Sequence, residues 1–241
     1  MQIEGKNQAR EVLKSGKTVD KVIVLRDSQD KELANIIKLA FDKKIKVNYV
    51  NKNVLDKESI TGKHQGIIAY TTEFVYSELA ELLDNGGRPN FLIILDGVED
   101  PHNLGSVLRV AECAGADGVI IGKHRSASVN ETVVRVSAGA SEHVKVARVT
   151  NINYAIEFLK ENGVWVYAAD MDGSPIYDTD FRGNCAIVIG SEGFGIHKIT
   201  KDICDGVVTI PMLGQVNSLN ASVATGVVAF EVVRQRVGKN G

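Results

Sequence analysis

The sequence predicts an α/β protein in which a parallel sheet, covered by helices on both faces, follows a smaller α/β unit. Five strongly apolar runs after residue 90, FLIIL (91–95), GVII (118–121), VWVYAA (164–169), CAIVIG (185–190) and GVVTI (206–210), alternate with helical stretches. Strands buried on both faces read as continuous apolar runs of this kind. Residues 1–70 alternate short helices and strands of more mixed character, and the stretch 71–90 between the two carries the breaker cluster NGGRPN. The chain of 241 residues has room for such an arrangement.

In order, 7–15 reads as a helix, 22–25 as a strand, 31–42 as a helix, 46–50 as a strand, 54–60 as a helix and 66–70 as a strand. SELAELLD at 77–84 makes a brief helix. In the second part, helices are expected at 103–114, 152–162 and 197–203, and a final one over ASVATGVVAFEVVRQR. These readings divide the chain into a front domain (1–72), a linker (73–88) and a main domain (89–241).

Apolar residues make up 44% and charged residues 24%, an ordinary globular balance, and no window approaches the ~20 apolar residues of a membrane helix. The start, MQIEGKNQAR, lacks the apolar core of a signal peptide. Cys113, Cys185 and Cys204 have no metal-type spacing and read as reduced core or near-core thiols of a cytoplasmic protein. Charge is uneven. Residues 1–70 hold 14 Lys and Arg against 9 Asp and Glu, a net +5, and the remaining 171 hold 14 against 21, a net −7. The front part therefore either meets a polyanion such as nucleic acid or carries a solvated basic face. Its lysines (Lys14, Lys17, Lys21, Lys43, Lys44, Lys46, Lys52, Lys57, Lys63) fall near element ends. His64 and Gln65 either contact a ligand there or are solvated.

In parallel sheets ligands gather at the carboxyl ends of the strands. The loops after 91–95, 185–190 and 206–210 each carry an unusual cluster. After the first, DGVEDPHNLGSVLR places Asn103 and Arg109 around Gly105, a donor pair suited to phosphate or ribose oxygens, or a capped helix with an exposed Arg. Asp96, Glu99 and Asp100 lack partners at metal-ligand spacing, so no metal is expected. After the second, Gly190, Gly193 and Gly195 bare the backbone around Glu192, a carboxylate placed to face a cation or a ribose hydroxyl. The spacing is not the dinucleotide fingerprint. After the third, IPMLGQVNSLNASVA crowds Asn217, Ser218 and Asn220 between apolar segments, with Ser218 or Asn220 capping the last helix. Polar groups crowded in this way need partners from each other, from backbone or from a ligand.

Taken together, these clusters resemble the SpoU/TrmH family of RNA ribose 2′-O-methyltransferases. Asn103, Gly105 and Arg109 match its N-x-G-x-x-x-R motif. Gly190-Ser191-Glu192-Gly193-Phe194-Gly195 matches its glycine-glutamate motif. Ile210, Pro211, Met212, Gly214, Ser218, Leu219 and Asn220 match I-P-M-x-G-x-x-x-S-L-N, with Ala221 where a valine is expected. The resemblance covers about 89–236, and the first 70 residues resemble the ribosomal-protein-like (L30e-like) RNA-binding domain of members that modify 23S ribosomal RNA. It implies a trefoil knot near the C-terminus, a homodimer with active sites near the subunit interface, and S-adenosylmethionine as cofactor. Around the cofactor it implies Gly190, Glu192, Gly195, Ile210 and Leu219; for catalysis it implies Arg109, Asn103, Glu192, Ser218 and Asn220. Arg109 would activate the ribose hydroxyl, although an arginine with pKa above 12 is better suited to binding phosphate and stabilising an alkoxide than to acting as a base. The rivals are a transfer-RNA modifier of the same chemistry, a non-catalytic RNA-binding protein, and a nucleotide-dependent enzyme that uses 190–195 as a phosphate loop.

Overall fold

The structure, a computed structural model, describes residues 1–15, 19–43, 45–71, 74–215 and 218–237. Lys17, Lys44 and Asn217 lie outside the described residues. In chain order the strands are β1 (Gln2–Glu4), β2 (Val19–Leu25), β3 (Lys46–Val50), β4 (Ile67–Thr71), β5 (Phe91–Asp96), β6 (Gly118–Gly122), β7 (Val146–Val149), β8 (Trp165–Pro175), β9 (Cys185–Gly190) and β10 (Gly206–Thr209). The α-helices are α1 (Lys6–Lys14), α2 (Lys31–Asp42), α3 (Lys52–Glu58), α4 (Pro101–Cys113), α5 (Glu131–Val136), α6 (Ile152–Glu161), α7 (Lys198–Ile203) and α8 (Ala221–Val237). They form two compact units, Met1–Val75 with Val129–His143, and Tyr76–Ser128 with Val144–Gly241.

The first unit is built on a four-stranded sheet in the order β1-β4-β2-β3. β4 runs antiparallel to β1 and β2, and β2 runs parallel to β3. Ile23, Leu55 and Ile68 are buried together beneath it. The helix starts are tied to one another: Asp30 caps α2 by accepting from the Glu32 and Leu33 N–H groups (2.8 and 3.1 Å), and Lys6, the first residue of α1, pairs with Asp30 at 2.8 Å. His64 and Gln65 serve the fold. The His64 ring is buried, accepting from the Gly66 N–H at Nδ1 (3.0 Å) and facing Asp56 at Nε2 (2.9 Å). Gln65 accepts the Lys6 N–H (3.1 Å) at the start of α1. Residues 129–143 join this unit through α5, which packs on β1, and through His143 Nε2, which is 2.8 Å from Glu11. Gly139 has φ +95°, and a Cβ there would stand 2.5 Å from the Glu11 side chain, so only glycine fits.

Glu4 closes the edge of this sheet. Its carboxylate accepts from Thr61 and Ser59 hydroxyls, the Ile60 N–H and Gln2. Burial works against its charge, yet these hydrogen bonds outweigh it and hold the pKa below the ordinary glutamate value.

The second unit is a six-stranded sheet in the order β10-β8-β9-β5-β6-β7, parallel throughout. Alternate residues of its central strand face opposite layers. Leu92 and Ile94 pack with Ala155, Ile156 and Leu159 of α6, while Phe91 and Ile93 line the layer under α8 with Thr225, Val228 and Ala229. Residues 76–88, read from the sequence as linker, belong to this unit. Their 3-10 helix Leu79–Leu83 buries Leu82 fully in the α6-side core. β8 runs well past the expected 169. Its polar tail pairs with β10 across a register shift, and a Cβ on Gly173 would stand 2.5 Å from the Val207 backbone. The three cysteines are free, and burial pushes the Cys185 thiol to about 11 and the Cys204 thiol to about 12, so both are neutral thiols at physiological pH. Cys113 departs from the expected core position. It closes α4 on the solvent side and is exposed.

Candidate functional site

The three polar turns meet at the carboxyl end of the second unit's sheet. After β9 the chain makes a tight loop, closed by the Ser191 N–H to Gly195 O (3.1 Å) and the Gly195 N–H to Ser191 O (2.9 Å). Gly193 and Gly195 take φ of +88° and +68°. Gly190 must be glycine for a different reason: a Cβ there would lie 2.2 Å from the Gly195 carbonyl carbon. Glu192 is carried at the tip of this loop.

α4 begins beside it. Asp100 caps the helix by accepting the His102 N–H (2.9 Å), and Pro101 occupies the first turn, where no N–H is required. That start fixes Asn103, which is buried, with its Nδ2 donating to Glu192 Oε1 at 2.8 Å. α8 supplies the third member. Asn220 Oδ1 caps the helix, accepting from the Ser222 N–H (3.0 Å) and Val223 N–H (3.3 Å), while its Nδ2 donates to Asn103 Oδ1 (3.0 Å) and to Glu192 Oε1. Of the two residues suggested as the cap, Asn220 takes the role. Asn103, Glu192 and Asn220, far apart along the chain, thus form one closed hydrogen-bonded triangle. Glu192 Oε2 has no partner among the described residues.

The other expected site residues are arranged around this triangle or away from it. Ile210 is half-buried, Leu219 is exposed, and Leu213 between them stands fully in solvent. Ser218 is exposed and has no hydrogen-bond partner among the described residues. Arg109 is not part of the triangle. Six residues at ~1.5 Å rise put it about 9 Å beyond Asn103 along α4 and roughly a third of a turn round it. It is exposed, and no described residue pairs with it. One pair escaped the sequence reading. Asp96, buried at the end of β5, accepts both the His197 N–H and its ring Nδ1 at 2.9 Å, which pins the exit of the glycine loop to the central strand. Its sequence signal is a carboxylate ending an otherwise apolar strand, a pattern that fits a structural acceptor as well as a metal ligand.

A parallel α/β sheet with such a polar cluster at its carboxyl edge, preceded in the chain by a separate basic α/β unit, is the architecture of a two-part ligand-binding protein. Residues 90–230 match the SpoU rRNA Methylase family, and residues 2–77 match the family described as RNA 2′-O ribose methyltransferase substrate binding. YacO of Bacillus subtilis, named for the TrmH family of tRNA/rRNA methyltransferases, is 41% identical over 240 residues, covering 96% of this chain and 94% of that protein. A TrmH-family protein from Porphyromonas gingivalis superposes with a TM-score of 0.81 at 26% identity, over 97% of this chain and 89% of that one. AviRb, a SpoU methyltransferase from Streptomyces viridochromogenes solved with AdoMet, shares the fold with a TM-score of 0.81 at 21% identity, over 98% of this chain and 90% of that chain. The chain belongs to the SpoU rRNA methylase family and is a TrmH-like RNA methyltransferase.

Proposed function

We propose that the protein transfers the methyl group of S-adenosylmethionine to the 2′-oxygen of a ribose in RNA, and that this ribose belongs to a guanosine of 23S ribosomal RNA. The observation that carries the reading is the triangle of Asn103, Glu192 and Asn220, which gathers three glycine-bearing turns at the edge of the sheet where ligands bind.

The surrounding residues suit the cofactor. Gly190, Gly193 and Gly195 bare main-chain groups to a flat base, Ile210 and Leu219 offer apolar surface, and Glu192 Oε2 is left to accept from a hydroxyl. When bound, S-adenosylmethionine supplies an electrophilic methyl group on a sulfonium. The protein's own part is placement: Asn103 and Asn220 hold Glu192 in one orientation, and positioning of this kind contributes up to ~7–11 kcal/mol of a barrier. Ser218, exposed beside Asn220, contacts the ribose. Arg109 binds the phosphate next to the target ribose and stabilises the oxygen as it gains charge.

The working unit is a homodimer in the cytoplasm. Val223, Phe230 and Val237 repeat every seven residues along α8 and are all exposed, and an apolar stripe of that period suits a second helix surface. Arg109, remote from its own triangle, acts at the site near that interface. The trefoil knot implied by the resemblance belongs to the same reading, as does RNA capture by the basic first unit.

The test is methyl transfer from labelled S-adenosylmethionine to 23S ribosomal RNA and to transfer RNA, followed by alkaline hydrolysis. A 2′-O-methyl group blocks cleavage at its own nucleotide, so the label is expected in alkali-stable dinucleotides from ribosomal RNA. Label in mononucleotides refutes the ribose assignment, and label in transfer RNA alone refutes the ribosomal one. Arg109→Ala is expected to abolish transfer while cofactor binding persists.

A further inference from the structure

The second unit holds 13 Lys and Arg against 18 Asp and Glu, a net −5, so its approach to a polyanion requires local positive charge. Most of its described cations are already committed. Arg88, Lys160 and Lys201 pair with carboxylates, and Arg236 donates to main-chain oxygens. The exceptions among the described residues are Arg109, Lys123, Arg125 and Lys198. Two of these four stand together in the turn that follows β6, at the same edge of the sheet as the triangle.

That turn is built rather than slack. The Lys123 N–H donates to Val149 O (2.8 Å), the Ala127 N–H to Val98 O (2.9 Å), and Arg148 Nη2 to Lys123 O (3.3 Å). A Cβ on Gly122 would stand 3.2 Å from the His124 carbonyl oxygen, so the turn folds tightly back on its strand. Arg125 sits at φ +50°, a conformation that costs an L-residue about 1 kcal/mol relative to glycine. A strained, exposed arginine between Lys123 and a fastened backbone has no structural partner among the described residues to account for it. Residues 118–128 and 144–151 contain no Asp or Glu. The neighbouring 97–100 turn carries Glu99 and Asp100, and Asp100 is engaged as the cap of α4.

We propose that the Lys123-His124-Arg125 turn, backed by Arg148, is a binding site for the RNA sugar-phosphate backbone on the methyltransferase unit itself, gripping phosphates beside the target ribose. This rests on the reading of the protein as an RNA ribose methyltransferase. It divides the contacts in two: the first unit recruits RNA, and this turn sets the strand against the triangle. Exposed cations without carboxylate partners release counterions on meeting phosphates, so the contribution is strongly salt-dependent.

The test compares the full chain with a Lys123→Gln, Arg125→Gly double variant. Glycine suits φ +50° and removes the charge without strain. Binding to in vitro transcribed 23S ribosomal RNA is measured by filter retention between 50 and 200 mM salt. The variant is expected to bind roughly 10-fold more weakly at the low-salt end, with the log–log salt slope reduced by about 2, near 1 per lost phosphate contact. Cofactor affinity by calorimetry is expected to stay within twofold. Arg182→Gln, which removes a cation already paired with Asp180, serves as control and is expected to keep the wild-type slope. Unchanged affinity and slope in the double variant, or an equal loss in the control, overturns the proposal. A wild-type chain that binds no RNA overturns it too. If the wild type binds RNA and the slope falls as stated but no methyl is transferred, the proposed reaction fails while this binding site stands.

Discussion

At its N-terminus α8 is held by the Asn220 side chain, which it shares with Asn103 and Glu192. At its C-terminus Arg236 donates to the main-chain oxygens of Pro89 (2.9 Å), Asn90 (2.8 Å), Gly183 (2.7 Å) and Phe181 (3.1 Å). Gln235 adds a bond to Thr179 O and accepts the Phe181 N–H, both at 2.8 Å. Both ends are polar networks, but their partners differ. The carboxyl end binds backbone carbonyls, which have nowhere else to turn, so the network locks the helix onto the entrances of β5 and β9. The amino end binds two side chains, the buried Asn103 and the exposed Glu192, and Glu192 Oε2 keeps hydrogen-bonding capacity to spare, so this end remains open to a ligand. Where a network spends its donors on main chain it is architecture; where it keeps some in reserve it is a site.

Arg236→Ala strands several carbonyls at once and is expected to cost about 3 kcal/mol, read as a lowered thermal midpoint. Methyl transfer per folded molecule is expected to survive; its loss would erase the distinction between the two ends. Gly190→Ala drives a Cβ into the Gly195 backbone. About 2 kcal/mol of destabilisation is expected from such overpacking, together with weakened cofactor binding in calorimetry. Asn220→Ala removes a cap and is expected to lower stability by only about 1 kcal/mol, yet to reduce turnover roughly 100-fold, close to the effect of one lost transition-state donor. Comparable falls in both quantities would blunt the contrast.

The smallest effect belongs to the first unit. Glu4 has a depressed pKa, so its contribution is present above the ordinary glutamate value and is lost as pH falls through the lower, folded one. Denaturant midpoints of the wild type and Glu4→Gln should therefore differ at pH 7 and converge as the pH is taken down below about 4.5. A constant gap across that range would show that the carboxylate's charge is irrelevant.

Elements with a clear pattern were legible in the sequence: the apolar run of β9, the shorter β3 and the helix α2 all fall where the sequence places them. Short elements were not. β1 has three residues and β7 four, and Arg148 on β7 faces solvent, so neither gives a pattern long enough to read. α5 hid behind the β-branched pair Val133-Val134, although Asn130, which accepts the Val133 N–H, marked its start. That residues 129–143 fold with the first unit is a long-range fact no local window contains. In the site, Asn103, Glu192 and Asn220 were visible because polar residues among glycines and apolar runs need an explanation. Their mutual contacts were not visible, because they join residues 89 and 117 positions apart and no local window contains both partners.

One amide group, that of Asn220, both starts the last helix and completes the polar corner beneath it. The corner is therefore completed only when α8 (Ala221–Val237) has packed against the rest of the second unit. Until that moment the second unit has a sheet but no receptacle, so the step that finishes its fold is also the step that completes its chemistry.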